Sequence, residues 1–213
     1  MAAPLTPVGI ANRALAKIGA GAIQSFDQTL PPGPQVALVY DVLMGELLAK
    51  FPWSFTLAPA LALAQVAPDQ TDGATYDNEG WQYCYALPAN LLQPPDAYLT
   101  NPRRADWPMR DFDVQGQLLY CDEPAVWARC RFYPDESIWP PYFVAAAVHC
   151  LAAELIMPIS GNAGQRDKLL AEAFGTPEDM RRGGMIYQAA LIDSQNDGEP
   201  VLRANPLIDA RYA

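Results

Sequence analysis

The chain is poor in the side chains that do chemistry. One histidine, His149, stands among 213 residues, so metal sites and acid–base pairs built on imidazole have almost nothing to draw on. The four cysteines, Cys84, Cys121, Cys130 and Cys150, include no C-x-x-C pair. That spacing excludes the common zinc and dithiol motifs and reads as reduced, buried thiols. A Cys121–Cys130 bridge would require the strands that carry them to pair. Basic residues are also scarce, with Lys+Arg 14 against Asp+Glu 24 and a net charge of -10. A chain of that sign repels phosphate backbones and anionic lipid, so gripping nucleic acid or a membrane surface is not expected. The N-terminus lacks a basic stretch followed by an apolar run, and no signal peptide is expected.

The remaining motifs are negative in the same way. Gly19-Ala20-Gly21 and Gly161-Asn162-Ala163-Gly164 lack the Lys-Ser/Thr of a phosphate loop. Asp69, Asp72, Asp77 and Glu79 form an acidic loop without calcium-loop spacing. His149 and Cys150, adjacent on a helix, point about 100° apart and form no dyad. Asp122-Glu123 and Asp135-Glu136 fall at strand ends, where turn and capping roles are usual and a paired-carboxylate glycosidase site is the alternative. No catalytic residue, metal or cofactor is expected.

What is present is a helical pattern at both ends and a β pattern between them. Thr6-Pro7 is a capped helix start, followed by Val8, Ala11, Leu15 and Ile18 at helical spacing, with Gly19 and Gly21 as the stop. A second helix is expected from about Gln35 to Lys50, its stripe formed by Val36, Tyr40, Leu43 and Leu47. Pro52 ends it inside the corner Phe51-Pro52-Trp53-Ser54-Phe55. From about Leu57 to Pro134, prolines and glycines punctuate short alternating runs. These are Trp81 to Leu87, a hairpin from Phe112 to Tyr120 turning at Gln115-Gly116, and Val126 to Tyr133. Three to five strands are expected there. Tyr142 to Met157 is apolar all round, the mark of a buried helix in a soluble protein. A long final helix is expected from roughly Gln165 to Ser194, broken or kinked near Gly175, Pro177, Gly183 and Gly184.

The expected fold class is therefore α+β, mainly α: a four-helix bundle from residues 1–56 and 138–195, with an antiparallel β-rich insert over 57–137. Residues 196–213 read as an extended docking tail, because Val201, Leu202, Leu207, Ile208 and Tyr212 stud an otherwise polar stretch that also carries Arg203. The clumped cations Arg103, Arg104, Arg110, Arg129, Arg131, Arg181 and Arg182 are interface candidates, given Asp106, Asp111, Glu178 and Asp179 beside them. Solvated surface charge is the plainer reading of the same pattern.

The ordered set of these features resembles the head-to-tail adaptor (connector) proteins of tailed bacteriophages, the tail tubular protein A-like family. The matching stretches are Ile10 to Gly19, Ile23 to Asp27, the corner Phe51 to Phe55 with Ala60-Leu61-Ala62, and Tyr83 to Pro88. Pro141-Tyr142-Phe143, Leu151 to Leu155 and Ala189 to Gln195 complete the set. The proline-rich stretch Pro94-Pro95 to Pro108 departs from the pattern. The resemblance implies a virion protein of the head–tail junction, made in the host cytoplasm. It implies a homo-oligomeric ring, commonly of twelve subunits, between the portal protein and the tail nozzle. DNA passes through the lumen without sequence-specific binding, and no membrane is involved. It also implies that residues 201–212 reach toward the portal. The alternatives carried with it are a murein-degrading tail component and another tail-completion protein.

Overall fold

A computed structural model describes residues 5–66, 80–103, 108–178 and 182–195. The first helix, α1 (Pro7–Lys17), starts as its sequence dictates, with the Thr6 hydroxyl accepting the Gly9 N–H at 3.1 Å. The loop after it is held to the helix by one side chain. Asn12 donates from Nδ2 to the Ile23 carbonyl and accepts the Ile23 N–H, at 2.9 and 2.8 Å. Helix α2 (Gly33–Ala49) follows and buries Val36, Tyr40, Leu43, Met44, Leu47 and Leu48.

Helix α3 (Pro141–Ser160) is the centre of the fold. It buries eleven side chains: five are alanine or cysteine (Ala146, Ala147, Cys150, Ala152 and Ala153), and the others are Phe143, Val144, Val148, Leu151, Leu155 and Ile156. Small side chains over its surface let other helices approach from several sides. Helices α1 and α2 pack on it, as do α4 (Ala163–Phe174) and α5 (Met185–Ser194). Length and composition alone would let α3 cross a membrane, but here its apolar surface is largely covered by protein.

Between α2 and α3 lie seven short strands. Strands β1 (Leu61–Ala62), β7 (Trp127–Arg129) and β4 (Ala97–Leu99) form one antiparallel sheet, in the order β1-β7-β4. Strands β2 (Ala64–Gln65), β3 (Tyr83–Ala86), β6 (Leu118–Cys121) and β5 (Asp113–Gln115) form the other, in the order β2-β3-β6-β5. The chain crosses from one sheet to the other at Leu63. Side chains from both sheets join one cluster with it: Tyr98 and Ala128 from the first, Tyr85, Leu119 and Cys121 from the second.

The four-helix bundle with an inserted β region is thus corrected to a mixed α+β fold of five helices and two antiparallel sheets among the described residues. Two physical causes account for the difference. The expected long last helix is two, because Gly175 takes φ 77°, a left-handed conformation that ends α4. Gly184 then lies against that turn so closely that a Cβ would fall 2.3 Å from the Phe174 carbonyl carbon. The helices also surround α3 as a hub, which an all-round apolar helix requires and a bundle of four equivalent amphipathic helices does not.

The strand count is higher than expected because prolines cut the β region into pieces of two to four residues. Strand β4 falls inside the proline-rich stretch that departs from the family pattern. The hairpin turn is shifted by one residue: Gln115 pairs with Leu118, leaving Gly116-Gln117 as the turn.

The seam between sheets and helices is polar and specific. Arg131, only 7% exposed, meets Asp96 with both ends of its fork: Nε to Oδ1 at 3.0 Å and Nη2 to Oδ2 at 2.7 Å. Its Nη1 donates to the Trp53 carbonyl on the helical side and also reaches Thr56 Oγ1 at 3.4 Å. Trp53 is fully buried, donates from Nε1 to the Leu47 carbonyl at 3.0 Å, and stacks edge-on against Phe143 of α3 at 4.9 Å. Replacing Arg131 by Met strands Asp96 and the Trp53 carbonyl together. The expected loss is about 3 kcal/mol, the usual order for breaking a buried ion pair. Urea unfolding of Arg131→Met measures it, and a loss below about 0.5 kcal/mol would contradict this role.

Candidate interaction surface

The groups with chemical potential occupy structural positions. His149, in α3, holds Nδ1 2.9 Å from the Ala145 carbonyl, and its Nε2 lies 3.9 Å from Glu172 of α4. Asp122 accepts the Gln82 N–H, and the Glu123 carbonyl accepts the Tyr85 hydroxyl at 2.7 Å. Asp135 caps the short 3-10 helix Glu136–Ile138. The Ser137 hydroxyl and N–H hold its carboxyl below the usual range. Glu136 lies in the first turn of that helix. Asp122 and Glu123 thus directly follow strand β6, and Asp135 and Glu136 stand at the start of a 3-10 helix. Among the described residues no group of three His, Cys, Asp or Glu side chains is arranged to hold a metal ion.

All four thiols are free and buried. Cys121 belongs to β6 and Cys130 follows β7 of the other sheet, so the strands that would bring them together do not pair. Burial pushes each thiol up, and Cys150, deepest in the helical core, is pushed up to about 12.

The interface cations separate into distinct environments. Arg131 is committed to the seam described above. Arg129 is half-buried on β7, whereas Arg103, Arg110 and Arg182 are exposed. None of these four makes an ion pair among the described residues, where Arg131–Asp96 and His149–Glu172 are the charge contacts. Arg104 and Arg181 lie outside the described residues, as do Val201, Leu202, Arg203, Leu207, Ile208 and Tyr212.

Two features escaped the sequence reading. The first is an apolar outer face on α2: Leu38 is 79% exposed and Val42 64%, one helical turn apart, opposite the buried stripe. The signal was present, because Val36 to Leu48 is apolar on nearly every side, which suits a helix covered on more than one side. Helix α5 repeats the feature with Tyr187, Leu191 and Ile192 exposed. The second is Asp193 at the end of α5. It is fully buried and accepts three hydrogen bonds: from the Ser54 N–H at 2.6 Å, the Ser54 hydroxyl at 2.8 Å and the Tyr142 hydroxyl at 2.6 Å. Those donors replace the water a buried carboxylate loses, and they clamp α5 to the aromatic corner and to α3.

No protein-family model matches the chain, and no curated protein matches it.

The thiols supply a test of this site description. None should react with iodoacetamide at pH 8 in the folded protein, and all four should react in urea. Each has a folded pKa raised above the unfolded value, so the folded state keeps protons that the unfolded state releases. That stabilisation is complete below about pH 9 and lost as pH rises from there toward 12. Urea midpoints measured between pH 8 and 11 should fall steadily; a flat profile would contradict the burial of Cys150.

Proposed function

We propose that the chain is a structural subunit of a tailed-phage virion, a head-to-tail adaptor that forms a ring between portal and tail nozzle. The observation that carries the reading is the apolar outer face of α2, Leu38 and Val42, joined by the exposed Tyr187, Leu191 and Ile192 of α5. Large side chains exposed in rows, on helices whose other sides are already packed, suit a protein whose burial is completed by neighbours. Arg103, Arg110 and Arg182, in no ion pair among the described residues, supply polar groups for the rims of such contacts.

The charge balance supports the same reading. A net charge of -10 repels DNA, which a lumen that DNA slides through needs to do. The apolar-studded segment from Val201 to Tyr212 supplies a portal-docking element. The ordered set of sequence features shared with the adaptor family links these properties to one role.

Deleting residues 199–213 should abolish co-sedimentation with portal rings while leaving the circular dichroism of the chain unchanged. Leu38→Asp with Val42→Asp should leave the monomer folded and weaken self-association on the portal at least ten-fold. Normal portal binding by the truncated chain would overturn the docking role of the tail, and unchanged self-association by the α2 variant would overturn the α2 contact.

A further inference from the structure

A groove of about 530 Å³ runs along the outer face of α3 beside α1. Its floor is apolar, built from Val144, Ala145 and Val148, with Trp139 at one end. Its rim carries Arg13 and Lys17, exposed, one helical turn apart, and in no ion pair among the described residues. In a chain of net charge -10, a site with an apolar floor and an unneutralised cationic rim selects a short acidic and apolar segment.

We propose that this groove is occupied by the chain's own residues 197–202, Asp-Gly-Glu-Pro-Val-Leu. Three arguments name that segment. The first is where the described chain ends. The Asp193 carboxylate takes the Tyr142 hydroxyl at 2.6 Å, and Tyr142 follows Pro141, which lines the groove. Asp193 is thus tied to the residue that follows the groove's Pro141, two residues before Gln195, where the described chain ends. The second is reach. Pro141 to His149 is about 12 Å along the helix axis. Seven extended residues span up to about 23 Å, enough to follow the groove. The third is complementarity. Asp197 and Glu199 match Arg13 and Lys17, Pro200 favours an extended backbone, and Val201 and Leu202 match the apolar floor.

Parking the segment there shelters Val201 and Leu202 from water until a partner takes them. The inference concerns the chain alone and does not rest on the adaptor reading. Its test needs no portal, so the two fail separately.

Zero-length carbodiimide coupling of the full chain, with isotope-labelled and unlabelled copies mixed, should join Lys17 to Asp197 or Glu199 within one copy. Limited trypsin should cut after Arg203 slowly. The charge-reversed variant Arg13→Glu, Lys17→Glu, altered only at exposed positions, should be cut there roughly five-fold faster, the effect of two exposed ion pairs. Equal cleavage rates in the two proteins, absence of a Lys17 link to the segment, or links found only between labelled and unlabelled copies would each overturn the proposal. The last outcome would assign the groove to a second copy.

Discussion

The guanidinium of Arg131 occupies the seam between two hydrophobic clusters that otherwise have different architectures. On one side lie the helices and the Trp53 corner; on the other lie the two short-stranded sheets. Neither sheet has long strands, and neither strand set carries enough ladder to stand rigidly against a helix by itself. A fork held by Asp96 and aimed at the Trp53 carbonyl fixes the register of the sheet side against the helical side. Because the pair is largely buried, its desolvation cost is offset only while all of its partners remain in place. The same geometry orients Trp53, and through Trp53 and Phe143 the packing of α3.

From α3 outward, the molecule is organised by coverage. Helices α1, α2, α4 and α5 pack around α3, and Asp193 locks the end of α5 beneath the aromatic corner. Three places are left uncovered by the described residues: the outer row of α2, the outer row of α5, and the groove beside α1. Each faces away from the core, and each is apolar or cation-rimmed where solvated acidic surface is the norm for this composition. Those three places are where the chain has surface suited to further contacts.

Much of the local structure was legible because local chemistry decides it. Thr6-Pro7 starts α1 as its capping chemistry requires, and the stripe Val36, Tyr40, Leu43 and Leu47 is buried as its spacing requires. The apolar run after Pro140 is buried in the core. The whole was not legible from the same signals. Gly184 matters because of a backbone 10 residues earlier in the chain, and β4 pairs with a strand about 30 residues later, past several prolines. Arg131 continues an alternating run in sequence, yet its side chain turns inward, because Asp96 and the Trp53 carbonyl meet it there. The exposure of Leu38 and Val42 was not legible for a related reason: α2 is apolar on nearly every side, and only the packed fold decides which of its faces is covered.

The apolar outer rows of α2 and α5, with Arg103, Arg110 and Arg182 in no ion pair among the described residues, suit the proposed assembly with neighbouring copies. The most direct measurement is electron microscopy of the purified chain mixed with portal rings. The account expects an added ring of density stacked on one face of the portal, with the rotational symmetry of a closed assembly. Bare portal rings beside free monomer, at concentrations well above micromolar, would contradict it.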